Sequence, residues 1–290
     1  MKTRSILLTA AIVQGAALPT VPVMAQAQSF ALEEIVVTAR KREERLLDVP
    51  DAITAFTATA IERSGLRSVT DVSALVPNFS IVQGQQPGTE FINMRGVGQI
   101  RNGEPPVAMV IDGVQVSSGY QITQDLFDVE RIEVLKGPQG SVYGRNAIGG
   151  AINIITRAPT NELEGGVRAS YGTGQDWRAS GHVSGAIVED RLLVRLSGSF
   201  RDFSGDIDNV TLDEKVNFDK LKNFRARMIG HLSETVSLDL RYTRVDQKAG
   251  AAWYSFVPPG VSINQTGPVT ANVLGEARRV LNDLSAKLDV

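Results

Sequence analysis

Cysteine is absent from the 290 residues. That excludes a disulfide framework and a thiolate metal site. Histidine is nearly absent: His182 and His231 stand far apart, and no His-Glu-x-x-His spacing occurs. Neither an imidazole metal site nor a Ser/His/Asp triad has material to draw on. Surplus charge is lacking too, since 30 basic residues face 32 acidic ones for a net of −2. A nucleic-acid partner would require a strongly basic face, so none is expected. No run approaches the roughly 20 apolar residues of a membrane-spanning helix.

What is present begins with a leader. Lys2 and Arg4 precede the short apolar run Ile6 to Leu18, and Ala25-Gln26-Ala27 fits an A-x-A cut. This is the pattern of a secretory signal over residues 1–27. A polar arm follows over 28–47, holding Ile35-Val36-Val37-Thr38-Ala39 just before the charge run Arg40 to Arg45. So short a β-branched segment cannot bury itself alone, and the charges beside it are expected to keep it solvated and outside the next domain.

Residues 48–160 read as a compact α+β unit. Ser68 and Asp71 resemble a helix N-cap arrangement, and Val69, Val72, Leu75 and Val76 form a stripe that stops before Pro77. Asp112-Gly113 between two apolar runs predicts a two-residue hairpin, since few residues tolerate positive φ at both turn positions. "RIEVLKGPQG" predicts a strand ending at Gly137-Pro138. The Asp112-Gly113 turn and the glycines at 137, 140, 144, 149 and 150 are taken as backbone shape, without a chemical role.

From residue 165 to 290 the period is two. Apolar Trp177, Ala179, Gly181 and Val183 alternate with Arg178, Ser180, His182 and Ser184. Leu192, Val194 and Leu196 alternate with Arg195 and Ser197, and Leu238, Leu240 and Tyr242 with Asp239 and Arg241. A soluble sandwich also alternates. The connections near 189–191 and 233–235 are short, however, while those near 201–221 and 246–276 are long and polar. That asymmetry belongs to outer-membrane barrels, with short periplasmic turns and long external loops. About six strands fit in this length, too few to enclose a domain. The chain therefore reads as the front of a longer protein.

Other motifs are weaker. "RGVGQIRNG" has Arg101 where a third nucleotide-loop glycine belongs, and "GTGQDW" fails at Trp177. "GHVSG" is no nucleophile elbow, and its alternation turns His182 toward the lumen. No metal, cofactor or enzymatic activity is expected.

With "EEIVVTA", "FINMRGVG", "VAMVIDGVQV" and "VERIEVLKGPQGSVYGRNAIGGAINIITRAP", the chain resembles the TonB-dependent outer-membrane receptors over nearly all its length after the leader. The resemblance implies an α+β plug domain followed by antiparallel transmembrane β-barrel strands, about 22 in the full fold. It implies that Ile35, Val36, Val37, Thr38 and Ala39 are a TonB box, which adds as a strand to the periplasmic TonB domain. It also implies that Arg95 and Lys136 face barrel carboxylates, here beyond residue 290. The function implied is active transport of a scarce ligand, a ferric siderophore first, across the outer membrane in contact with its lipid. Carbohydrate, cobalamin, haem or nickel complexes stay open as cargo, as does an inactive partial chain. A signal-transducing subtype would need a further domain before the arm, and a passive porin or adhesin would need neither arm nor plug.

Overall fold

Alternation and turn chemistry set the architecture. A computed structural model describes residues 35–38, 42, 44–84, 86, 88–100, 103–116, 125–254 and 268–290. The leader, the start of the arm and Ala39 lie outside the described residues.

Among the described residues the first half contains ten strands, three α-helices and a 3-10 turn at Leu46–Asp48: β1 Val36–Val37, β2 Glu44–Arg45, β3 Ala52–Thr57, α1 Ala58–Arg63, α2 Val69–Leu75, β4 Phe79–Val82, β5 Phe91–Met94, β6 Val97–Gly98, β7 Val107–Ile111, β8 Val114–Gln115, β9 Val129–Lys136, α3 Gly140–Tyr143 and β10 Gly150–Thr156. A five-stranded sheet runs β3-β9-β10-β7-β8, with β10 and β7 parallel and the other pairs antiparallel. One face packs Ile132, Val134, Ile152 and Ile154 against Val69 and Val72 of α2 and against Ile92 and Met94 of β5. Its other face carries Leu135, Ala151 and Val110 beneath Tyr143 of α3.

Local signals explain these elements. The Ser68 hydroxyl accepts from the Asp71 amide while the Asp71 carboxylate accepts from the Ser68 amide, a complete capping box. Leu75, assigned to the buried stripe, instead stands 50% exposed, because the helix ends there and turns its last residue outward. Asp112 and Gly113 adopt φ of 50° and 85°, the positive pair that the β7–β8 hairpin requires. Arg95 and Gly96 do the same between β5 and β6, at 52° and 82°. Gly150 lets strands close up, since a Cβ there would stand 2.2 Å from the Leu135 carbonyl oxygen.

The second half is a six-stranded antiparallel sheet of β11 Glu164–Gly172, β12 Asp176–Val188, β13 Leu192–Phe203, β16 Asp219–His231, β17 Ser237–Gly250 and β18 Glu276–Asp289. A small hairpin, β14 Asp208–Asn209 with β15 Glu214–Lys215, folds the long connection between β13 and β16. The count of six and the short and long connections match the alternation. One face of the sheet holds Arg195, Ser197, Arg225, Asp239 and Arg241, all buried against the first half. The other exposes Val183, Leu196, Phe200, Phe224 and Leu284, as a lipid-facing wall does. Among the described residues no helix is long and apolar enough to cross a membrane.

Candidate coupling and gating site

Of the pentapeptide, Ile35 to Thr38 are held against the domain. Val36 and Val37 pair antiparallel with Arg45 and Glu44 of β2, and the Leu46 amide donates to the Ile35 carbonyl at 2.9 Å. Val36 points outward at 40% exposure and Val37 inward at 1%. Thr38 then lies over β9. Its amide donates to Glu133 Oε1 at 2.8 Å, and its hydroxyl receives Arg131 Nη2 at 3.1 Å. Glu133 is wholly buried and also accepts from Arg131 Nε at 2.9 Å and from Asn153 Nδ2 at 3.0 Å. Burial, with Glu133 nearby, pushes the Tyr143 hydroxyl well above its ordinary pKa.

This corrects the expectation that the charge run holds the arm away. Arg45 and Glu44 supply the strand against which the arm pairs, and a carboxylate inside the domain holds its end. The energies are balanced. Burying Val37 contributes about 1.5 kcal/mol; the bond to the Glu133 carboxylate contributes about 2 and each neutral bond about 1. Ordering the backbone costs about 1 kcal/mol or more per residue. Gains and costs are of similar size, so docking is reversible.

A polar seam joins the plug-like half to the barrel-like sheet. Arg195, 2% exposed on β13, donates through Nε to Asp128 at 2.9 Å and through Nη1 to Glu164 at 2.6 Å. Burial alone would raise the Asp128 carboxyl, but the Arg195 guanidinium outweighs it and holds the group below the usual carboxylate range. Asp125 accepts from Ser199 at 2.8 Å and Asn223 at 3.3 Å; with no guanidinium bonded to it, burial wins and its pKa rises. Arg225 stacks on Phe127, its guanidinium carbon 4.8 Å from the ring centre. Arg227 donates to the Thr156 carbonyl at 3.0 Å and Arg241 to the Asp112 carbonyl at 2.7 Å. Asp112 is more than backbone shape: its carboxylate also takes the Thr156 amide at 2.8 Å and hydroxyl at 2.7 Å.

The Arg95 guanidinium lies beside Gly137, the residue after Lys136, since a Cβ on Gly137 would stand 2.9 Å from Arg95 Nη1. Among the described residues neither forms an ion pair. In the seam, Asp128 of the first half meets Arg195 of the sheet, while the carboxylates expected opposite Arg95 and Lys136 would belong to barrel beyond residue 290. Sequence reasoning missed Arg131, Glu133 and Asn153. A signal was present: Arg131 and Glu133 alternate with Ile132 and Val134 in a strand bounded by apolar residues, which marks a polar seat inside a core.

At the long-connection end, a cavity of about 1270 Å³ separates the two halves. Gln83, Glu104 and Gln115 line one side, and Arg201, Asn217 and Trp253 the other. His182 faces the inner space near Gly166, as the alternation predicts.

Comparison with known proteins agrees with this geometry. Residues 45–151 match the family model described as TonB-dependent Receptor Plug Domain. The pesticin receptor of Yersinia pestis is 31% identical over 176 residues, 59% of this chain and 26% of the receptor. The vitamin B12 transporter BtuB of Vibrio vulnificus is 30% identical over 179 residues, 60% of this chain and 28% of the transporter. The matched part thus spans about a quarter of those relatives. The crystal structure of the ferric yersiniabactin uptake receptor FyuA from Yersinia pestis superposes with a TM-score of 0.75 at 20% identity, over 82% of this chain and 38% of that one. At that identity it speaks for the fold, a plug followed by antiparallel barrel strands.

Proposed function

This chain belongs to the TonB-dependent receptor family of the outer membrane, and we propose that it serves energy-coupled uptake of a scarce ligand. In this reading the leader over 1–27 exports the chain, the plug over 48–160 closes the barrel, and the segment Ile35 to Ala39 couples it to TonB. The carrying observation is the seat of that segment. Its strand is spent on β2 and its end is held by Glu133, so it can add to a partner's sheet only after leaving the plug. A reversible seat suits a grip made and released in each cycle, and force drawn through Thr38 would reach β9, an inner strand of the plug sheet.

The cargo we propose is a ferric siderophore, bound in the polar cavity beneath the long connections. The likeness in fold to the ferric yersiniabactin uptake receptor FyuA favours that choice, while the BtuB match supports a cobalamin as the second reading. Arg95 and Lys136 remain proposed as plug cations that meet barrel carboxylates.

Uptake and binding of labelled ferric siderophore and of cobalamin, in cells expressing the natural gene product, test the reading. Val36→Pro removes a ladder donor, so uptake should fall to background while surface binding stays as in the parent. Normal uptake by the proline variant would remove the arm from the mechanism, and cobalamin uptake alone would exchange the cargo.

A further inference from the structure

The outward face of the six-stranded sheet changes character along its height. From the short turns upward it is apolar as far as Phe200, Phe224 and Tyr242, and beyond them it turns basic. The register sets Lys220 on β16 opposite Lys248 on β17, and Lys248 opposite Arg278 on β18. Lys222 and Arg244 stand between that row and the aromatic residues, and all five side chains are exposed. Like charges directly opposite across strands destabilise a sheet, so three in a row require compensation.

Carboxylates on the same face supply part of it. Lys248 pairs with Glu276 at 2.6 Å, Arg278 with Asp246 at 2.9 Å and Lys220 with Asp202 at 3.5 Å. Among the described residues Lys222 meets no carboxylate within ion-pair distance, and Arg244 donates to the neutral Asn282 amide oxygen at 3.0 Å. Two positive charges are therefore left over where the apolar wall ends. Long basic side chains reach from an apolar surface toward the headgroup layer, and the long-connection end is the external one in barrels of this kind. A soluble anion would need only the charges. An amphiphile uses both the charges and the wall below them.

We propose that Lys220, Lys222, Arg244, Lys248 and Arg278 form a binding site for the phosphate groups of an anionic lipid of the outer leaflet, its acyl chains lying on Phe224, Tyr242 and Leu284. Arginine grips phosphate bidentately and lysine acts as a point charge, so the patch suits a headgroup bearing more than one phosphate.

The test uses the natural gene product purified from outer membranes and placed in neutral phosphatidylcholine nanodiscs, with diphosphoryl lipid A as the probe. Lipid A should bind saturably, and K222Q/R244Q should weaken binding about tenfold or more. A second pair, K220Q/K248Q, should give a similar loss. R191Q/K287Q, which removes two positive charges at the opposite end, should bind as the parent does. Inorganic phosphate at equal phosphate concentration should not displace the lipid. Undiminished binding by the two patch variants, or equal displacement by inorganic phosphate, would overturn the proposal. Uptake is not the readout, so the result stands apart from the arm and the cargo.

Discussion

Asp125 and Asp128 lie three residues apart in one loop, yet their surroundings push their carboxyl groups in opposite directions. Asp128 is bound by Arg195, so its folded pKa lies below its unfolded one. Its contribution is present above the unfolded value of about 4 and is lost as pH falls through the folded value. Asp125 is buried with only neutral donors bonded to it, so its folded pKa lies above the unfolded one. It favours folding below about pH 4 and loses that contribution as pH rises through its raised value. At pH 7, Asp128→Asn should therefore lower stability by about 2 kcal/mol, and Asp125→Asn should hold or raise it. Urea unfolding of both variants at pH 7 and pH 4 checks the pair, and the gap between them should narrow at the lower pH. Asn retains the left-handed backbone that Asp128 adopts at φ 55°, so charge is the variable changed.

Among elements, α2 is a short helix whose N-terminus depends on one reciprocal pair. Ser68→Ala leaves the Asp71 amide without its side-chain acceptor, and should cost about 1 kcal/mol. A downward shift of the urea midpoint with unchanged slope would be the reading. This helix, the Asp112-Gly113 hairpin and the six barrel strands were legible in the sequence because each is specified by neighbours within a few residues. The seat of the arm was not. Thr38 and Glu133 are 95 residues apart, and nothing local to "EEIVVTA" names its acceptor. The seam among the described residues was not legible either: Asp128 meets Arg195, the Asp112 carbonyl meets Arg241, and Asp125 meets Ser199 and Asn223. Their meeting is decided by how the plug sits in the sheet. The basic patch depends on register in the same way: Lys220, Lys248 and Arg278 are unremarkable singly and become a row only when their strands pair.

Across the whole molecule, Arg195 ties three parts together. It reaches Asp128 in the plug-side loop and Glu164 on β11 from its place on β13. Arg195→Met would leave Asp128 buried without its guanidinium, at a cost of about 3–5 kcal/mol. Limited proteolysis should then cut the plug-side loop around Asp128 faster while the barrel strands stay resistant. A plug held by such side-chain pairs can shift without dissolving its own core. Under the coupling proposed above, force entering at Thr38 would meet a firm sheet and a yielding seam.

The arm rests in a seat inside the plug, held by Glu133, and the proposed coupling depends on that seat. Because the chain contains no cysteine, V36C and V37C each place a single thiol on the arm, one outward and one inward. Their reaction rates with a charged maleimide are the direct measure. With Glu133 intact, V37C should react about ten times or more slowly than V36C, and in the Glu133→Gln background the two rates should converge at the faster value. Equal, fast labelling of both thiols with Glu133 in place would contradict the account.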